Sequence, residues 1–311
     1  MKNMGGLIVN LSVIINGVLS LFLIMLIGVY GSKRKIITPE INKGLTNILL
    51  EITLPCLIVS SFVFDFNNEL RNNIIKSFVY SPLVLIITIL VSYIVLLPIK
   101  SDKKVIMQFA NVFSNCGFIG FPIIHSIFGS EGVIYASIFN MFFTMALWTY
   151  GVVLFNGNIE KKDLKKVLLN PAIIAVIIGL IIMIFRINIP QVLYSTLDLV
   201  GGMTAPLSMI IVGVILGNAN ICSYLRDFTI YYSSILKLLV LPFVLIIISK
   251  IINDNSIVAK TLIILTAMPA AAMTSILAEK FNEEKEYSAV IVFITTLFSL
   301  ITFPILLKFI L

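Results

Sequence analysis

Charge is scarce in this sequence: Asp, Glu, Lys and Arg make up 12% of its 311 residues, where soluble domains carry about a quarter. So little charge cannot clothe a soluble surface, and a hydrophobic content of 59% with a mean hydropathy of +1.09 points to lipid instead. Histidine occurs once, at position 125, which excludes an HExxH zinc pair or paired haem ligands. GxSxG and GxxxxGK[ST] are missing too, so no enzyme constellation emerges and ATP-driven pumping by this chain alone is not expected. Cys56, Cys116 and Cys222 fall in three separate segments without CxxC spacing, which indicates neither a disulfide framework nor a metal site. No cofactor and no metal are expected. The net charge of +7 would suit nucleic acid, but the Lys and Arg residues sit mostly in short connecting loops, where topology accounts for them. No nucleic-acid partner follows.

What is there is a series of apolar runs long enough to cross a bilayer. Ten spans are predicted near 7–30, 44–64, 74–99, 105–128, 132–155, 167–187, 192–217, 228–249, 257–279 and 287–310. The first is too long for a signal-peptide core and lacks a small-residue cleavage site, so it reads as a permanent span. Alternate connections differ in charge. Fourteen Lys and Arg, including Lys33, Lys103, Lys161, Arg226 and Lys280, fall on one side and seven, including Arg71, Lys76 and Lys250, on the other. Cytoplasmic loops carry the excess, which predicts a multi-pass protein of the cell membrane with both termini outside.

The connection 156–166 divides the chain into residues 1–155 and 167–311, with five spans in each, and five being odd, the halves would be inverted. Weak self-similarity supports a repeat. Thr53-Leu54-Pro55 matches Thr204-Ala205-Pro206 at an offset of 151, and Tyr135-Ala136-Ser137 lines up with Tyr287-Ser288-Ala289 at 152. Near the same offset, two interrupted spans correspond: Asn115-Cys116-Gly117-Phe118-Ile119-Gly120-Phe121-Pro122 in the fourth and Ala267-Met268-Pro269-Ala270-Ala271-Ala272 in the ninth.

Glycines and a proline so close together have no place in a lipid-facing helix, because they loosen the backbone and remove a donor. In hydrocarbon a broken backbone survives only inside protein or beside a watery cavity, and such breaks mark transporter binding sites. Pro122 and Pro269 each suit the start of a new half-helix. In opposite orientations, the two half-helix N-termini would converge and offer an anion site without Lys or Arg. The alternative is that the prolines only kink continuous helices. Gln108, Asn111 and Asn115 share a helical face leading into the first break; they would serve either a site or the pairing of neighbouring helices. Four ionisable residues lie in or near spans. Glu51 and Lys237 are candidates for coupling or charge balance, Asp198 for that or for an interfacial position, and His125 for packing or capping.

The pattern from Asn115 to Pro122, with Ala205-Pro206-Leu207-Ser208 and Ala267-Met268-Pro269, resembles the auxin efflux carrier family, which includes plant auxin carriers and bacterial malate and other organic-acid permeases. The likeness covers essentially the whole chain, but the long cytoplasmic loop of many plant members is replaced by 156–166, as in compact bacterial members. The resemblance implies an all-α integral membrane fold similar to bile-acid symporters and sodium/proton antiporters: two inverted five-helix repeats with broken, crossing fourth and ninth helices. It implies elevator-like alternating access, spans three to five and eight to ten moving against one, two, six and seven in a homodimer. The expected substrate is a small organic anion, a carboxylate such as malate or an auxin-like acid, with a proton or sodium as coupling ion. Its expected binding set is Asn115, Asn111, Gly117, Gly120 and Pro122 with Pro269 and Ala270. A cation/proton exchanger on the same fold would need a midplane aspartate that neither broken span supplies. A membrane-embedded sensor or receptor, and a channel, stand beside it as rival functions.

Overall fold

The structure, a computed structural model, describes residues 11–63, 68–157, 165, 167, 169–218, 224–281 and 283–311. These form helices and no strand: α1 (Leu11–Lys33), α2 (Pro39–Ser61), α3 (Asn68–Val95), α4 (Lys104–Val112), α5 (116–128), α6 (130–156), α7 (Pro171–Ile184), α8 (Gln191–Asn218), α9 (Phe228–Ile251), α10 (Ile257–Thr266), α11 (Met273–Lys280) and α12 (Lys285–Ile310). Among the described residues, six stretches are long and apolar enough to cross a membrane, namely α2, α3, the α5–α6 run, α8, α9 and α12. Shorter apolar helices lie at 19–33, 171–184 and 257–266. Most of the expected linker at 156–166 and the start of the first expected span fall outside the described residues. Gly129 separates α5 from α6 at φ 61° and ψ −151°, a conformation that only glycine adopts freely.

Helix α3 shows why these helices belong in lipid. Its outer face carries Ile75, Val79, Leu83, Ile86 and Leu90, while Ser77, Ser81, Thr88 and Ser92 are buried against the bundle. In water that arrangement would be inside out. In lipid it is favourable, since small hydroxyl residues let helices approach and bond across them. Ser81 and Thr88 donate to their own helix's carbonyls (2.6 and 2.9 Å), whereas Ser92 donates to Gln108 Oε1 at 2.7 Å.

Prolines inside the bundle are accommodated by a recurring device. Wide π turns at Leu49–Thr53, Cys116–Gly120 and Leu236–Val240 are each followed, one residue later, by Pro55, Pro122 and Pro242. At each, the residue before the proline donates its N–H five residues back, to Leu49, Cys116 and Leu236. The wider turn moves aside the carbonyl that the ring would strike and keeps the remaining backbone groups paired, which hydrocarbon requires.

Two packing arrangements organise the bundle. Helices α1 and α8 meet backbone to backbone: a Cβ on Gly213 would lie 2.0 Å from the Met25 carbonyl oxygen, and one on Gly28 would lie 2.2 Å from that of Ile210. α2 packs as closely on α8 through Gly201 and Leu57, and the Phe62 ring beyond its end fills the space beside Gly179 of α7. Elsewhere α3 and α9 run antiparallel, with Lys76 of α3 paired to Asp254 past the end of α9 and Lys103, the N-cap of α4, paired to Asp227 at the start of α9, each at 2.6 Å. Tyr232 Oη adds a bond to the Val95 carbonyl at 2.8 Å.

The loop carboxyl of Asp254 reports on one of those ends. Burial pushes it up, but the Lys76 ammonium and the amide and hydroxyl of Ser256 outweigh that and hold it down at about 2, below its ordinary 3.8. A carboxyl depressed in the folded protein stabilises it above the unfolded value, and that contribution is lost as pH falls through the folded one. Asp254→Asn is therefore expected to lower the Tm in detergent at neutral pH, with the gap to wild type closing between about pH 4 and 2. An equal gap at pH 7 and pH 2 would mean that the charge of Asp254 is not what joins these ends.

Candidate functional site

The two interrupted spans meet and satisfy each other. α4 ends at Val112, and Phe113 turns extended with ψ 103°. An isolated antiparallel bridge then pairs Ser114 with Ala270. Asn115 donates its N–H to the Pro269 carbonyl at 2.8 Å, and Ala271 donates to that of Phe113 at 2.9 Å. Ala270 N–H finds Thr295 Oγ1 at 3.2 Å. Backbone groups released by one break are thus taken up by the other and by α12, the condition for a break in an apolar interior.

Lys237 closes the junction from the α9 side. Fully buried in the π turn of that helix, it donates Nζ to the Asn111 carbonyl at 2.9 Å and to Ser114 Oγ at 2.5 Å. Ser114 Oγ in turn donates to the Thr266 carbonyl at 3.3 Å. The ammonium therefore reaches the C-terminal end of α4 directly and that of α10 through one hydroxyl. Helix C-termini carry partial negative charge, which is where a cation is stabilising.

The half-helices restart elsewhere than their prolines suggest. α5 begins at Cys116, not Pro122, because Asn115 caps it: its Oδ1 accepts from Phe118 N–H at 3.2 Å and its carbonyl from Gly120 N–H at 3.0 Å. α11 begins at Met273, and Pro269 lies in the extended crossing segment before it. A side-chain acceptor next to the free amides does the capping that a proline, which only lacks a donor, does not supply.

Both restarts open on one cavity of about 410 Å³. Asn115, Cys116, Gly117 and Phe118 line it from the first break, and Ala271, Ala272 and Met273 from the second. Glu51 enters from the π turn of α2, Asn140, Thr144 and Trp148 from α6, and Asn170 from the cap of α7. Of the expected residues, the fold brings Asn115, Gly117 and Glu51 together here. Gly117 has open space where a Cβ would be, whereas a Cβ on Gly120 would come within 2.7 Å of Leu265, so Gly120 serves packing of α5 on α10.

Asn111 does not line the cavity: it is fully buried and its Oδ1 accepts from Ser233 Oγ at 2.8 Å. Its Nδ2 is buried without a partner among the described residues, whereas Gln108 bonds Ile89, Ser92 and Tyr150. These two amides pair helices, as polar groups in a bundle commonly do. Pro122, Pro269, Ala270 and Lys237 lie in or behind the crossing, and Asp198 and His125 are exposed away from the cavity. Sequence reasoning missed Asn140, Thr144 and Trp148. Their signal was present, a polar pair one helical turn apart and the only tryptophan in an apolar run, but nothing in it told which way that face turned.

Electrostatically, the crossing sorts its helix ends. C-terminal carbonyls turn to Lys237, directly or through Ser114, and the N-terminal residues of α5 and α11 line the cavity, where no Lys, Arg or His is found among the described lining residues. Asn115 Oδ1 is committed to the cap, which leaves its Nδ2 donors unengaged. The arrangement can hold a carboxylate by neutral donors and helix dipoles alone.

The sequence matches the family described as "Membrane transport protein" twice, over residues 13–163 and 157–307. It is 26% identical over 300 residues to an uncharacterized transporter of Methanocaldococcus jannaschii, a likeness covering 91% of this chain and 94% of that one. An uncharacterized transporter of Methanothermobacter thermautotrophicus is 24% identical over 297 residues, covering 93% of this chain and 95% of its own length.

Replacing Lys237 by Met would strand the Asn111 carbonyl and Ser114 Oγ without their donor, at about 1–3 kcal/mol for each buried group. The expected result is a Tm several degrees lower in detergent, read by a thiol-independent unfolding probe. A Tm equal to wild type would show that the junction holds without the ammonium.

Proposed function

The chain belongs to the membrane transport protein family of the auxin efflux carriers, and on that footing we propose that it is a secondary carrier for a small organic anion, a carboxylate such as malate or an auxin-like acid. The observation that carries this reading is the cavity at the crossing, which Asn115 and the first residues of two half-helices line while no basic side chain does among the described residues. Neutral donors suit a site that must release what it binds, since an Arg or Lys clamp would add a charge-assisted bond to be broken at every cycle.

The proposed architecture is ten transmembrane helices in two inverted five-helix repeats, residues 1–155 and 167–311, with α4–α5 and α10–α11 as the broken fourth and ninth spans. Three observations support it. The family matches the chain twice, once in each half. Each break is bridged by the other. The ion pairs of α3 and α9 fall on related positions: Lys76 and Asp227 are 151 residues apart, and so are Lys103 and Asp254.

Elevator-like movement is proposed on the same grounds. The cavity lies between the two packing groups, with Glu51, Asn170 and Ile215 supplied by the glycine-packed α2, α7 and α8 sides and Asn115, Asn140 and Met273 by the other. Sliding one group against the other would expose it to either side in turn. A homodimer in the cell membrane with both termini outside completes the proposal, the dimer from the family and the orientation from the uneven Lys and Arg loops.

Counterflow in proteoliposomes with a panel of labelled mono- and dicarboxylates tests the carrier. Exchange of at least one organic anion is expected, and its absence for all would refute the reading. Asn115→Asp keeps a side chain that caps as well as Asn but trades the free donors for a negative charge; it is expected to fold and to lose at least tenfold in affinity. Asn115→Ala should lose binding together with about 1 kcal/mol of stability. Wild-type affinity in Asn115→Asp would move the substrate away from the crossing.

A further inference from the structure

Within the described residues lining the cavity, Glu51 is the one charged side chain. It stands on the π turn Leu49–Thr53, a local widening of α2, and faces the same space as the amide ends of α5 and α11. Resting on the anion-carrier reading, we propose that Glu51 carries a proton with each substrate anion, so that the protein is a proton–anion symporter.

The reasoning is one of shared space. A cavity of about 410 Å³ is about 9 Å across, so a bound carboxylate and the Glu51 carboxylate lie within several ångströms of each other. At that separation, two like charges at a protein's effective dielectric disfavour each other by roughly a hundredfold in affinity. No basic side chain among the described lining residues offsets this, because Lys237 is engaged behind the crossing. In the empty cavity Glu51 is already the one charged side chain among the described lining residues. Binding the anion then requires that this charge be removed. One proton adds to a Glu51 carboxylate oxygen from the side where the anion enters and leaves on the side where the anion departs. One anion and one proton cross together, and for a monoanion no net charge moves.

The described lining supplies no second carboxylate to share a multivalent cation with Glu51. No group of three or more His, Cys, Asp or Glu that would hold a metal occurs among the described residues. The nearby Asn170 Oδ1 already accepts from the amides of Ala172 and Ile173. Of the elements packed on the π turn, α7 has no charged or titratable side chain, and α8 adds Tyr194 and Asp198, both off the cavity lining. Glu40 and Lys43 lie nearer the start of α2, and the lining adds only the thiol of Cys116.

The test uses the purified protein and a labelled carboxylate that exchanges in counterflow. In weakly buffered detergent solution, binding by wild type is expected to take up about one proton per anion, and binding by Glu51→Gln none. In proteoliposomes, an acid exterior should drive accumulation towards about tenfold per pH unit in wild type and Glu51→Asp, but not in Glu51→Gln, after subtracting uptake by protein-free vesicles. Thermal unfolding confirms that the variants fold. Anion binding by wild type without proton uptake overturns the proposal, as does accumulation that follows a sodium gradient instead, or that survives unchanged in Glu51→Gln; in each case the carrier itself stands. If no anion exchanges at all, the carrier reading fails first and takes this one with it.

Discussion

An interrupted helix inside an apolar bundle leaves backbone donors and acceptors with no water to receive them, and the rest of this structure follows from how those groups are satisfied. Each of the two breaks supplies what the other lacks: Asn115 and Ala271 donate across, and Pro269 and Phe113 accept. Neither break could stand alone in the interior. Lys237 then spans the two helix ends that would otherwise place partial negative charge side by side, reaching one directly and the other through Ser114. A buried ammonium without a carboxylate partner would ordinarily be costly. Here, oriented helix carbonyls act as the counterion.

The same arrangement decides what the cavity can hold. With the carbonyl ends turned to Lys237, the N-terminal ends of α5 and α11 are left to line the open space together with Asn115. Their positive potential comes from backbone and is therefore fixed in place. Glu51, on the π turn of α2, is the one charged side chain among the described residues that line the same space. The wall is otherwise largely apolar, with Phe118, Phe143, Trp148 and Met273 around the polar end.

Around this centre, two kinds of helix contact hold the bundle. Glycines bring α1 and α2 against α8 so closely that backbone touches backbone, which resists sliding within that group. Lys76 ties α3 to Asp254 past the end of α9, and Lys103 ties the start of α4 to Asp227 at the start of α9, at partly exposed positions where charge is least costly. Three π turns let prolines enter the bundle without leaving a carbonyl stranded, and two of those turns also present Glu51 and Lys237. Local widening of a helix thus serves both backbone pairing and the placement of ionisable groups.

Much of this was legible in the residues themselves. Scarce charge and long apolar runs determine a multi-pass membrane protein, because lipid admits little else. Glycine and proline in the pattern from Asn115 to Pro122 mark the break, since both act on the backbone of their own chain. Asn115 was legible as belonging to the break for the same reason, and it caps the helix that restarts there. What only the tertiary structure decided is direction. Asn111 and Asn115 share a helical face in sequence, yet one turns to Ser233 and the other to the cavity, because the chain goes extended between them at Phe113 and Ser114. Lys237 reads as a lone charge in an apolar span, and its partners, a carbonyl and a hydroxyl, are groups every residue or any serine carries. Their identity depends on which helix ends are brought to it, and periodicity along one chain holds no record of that.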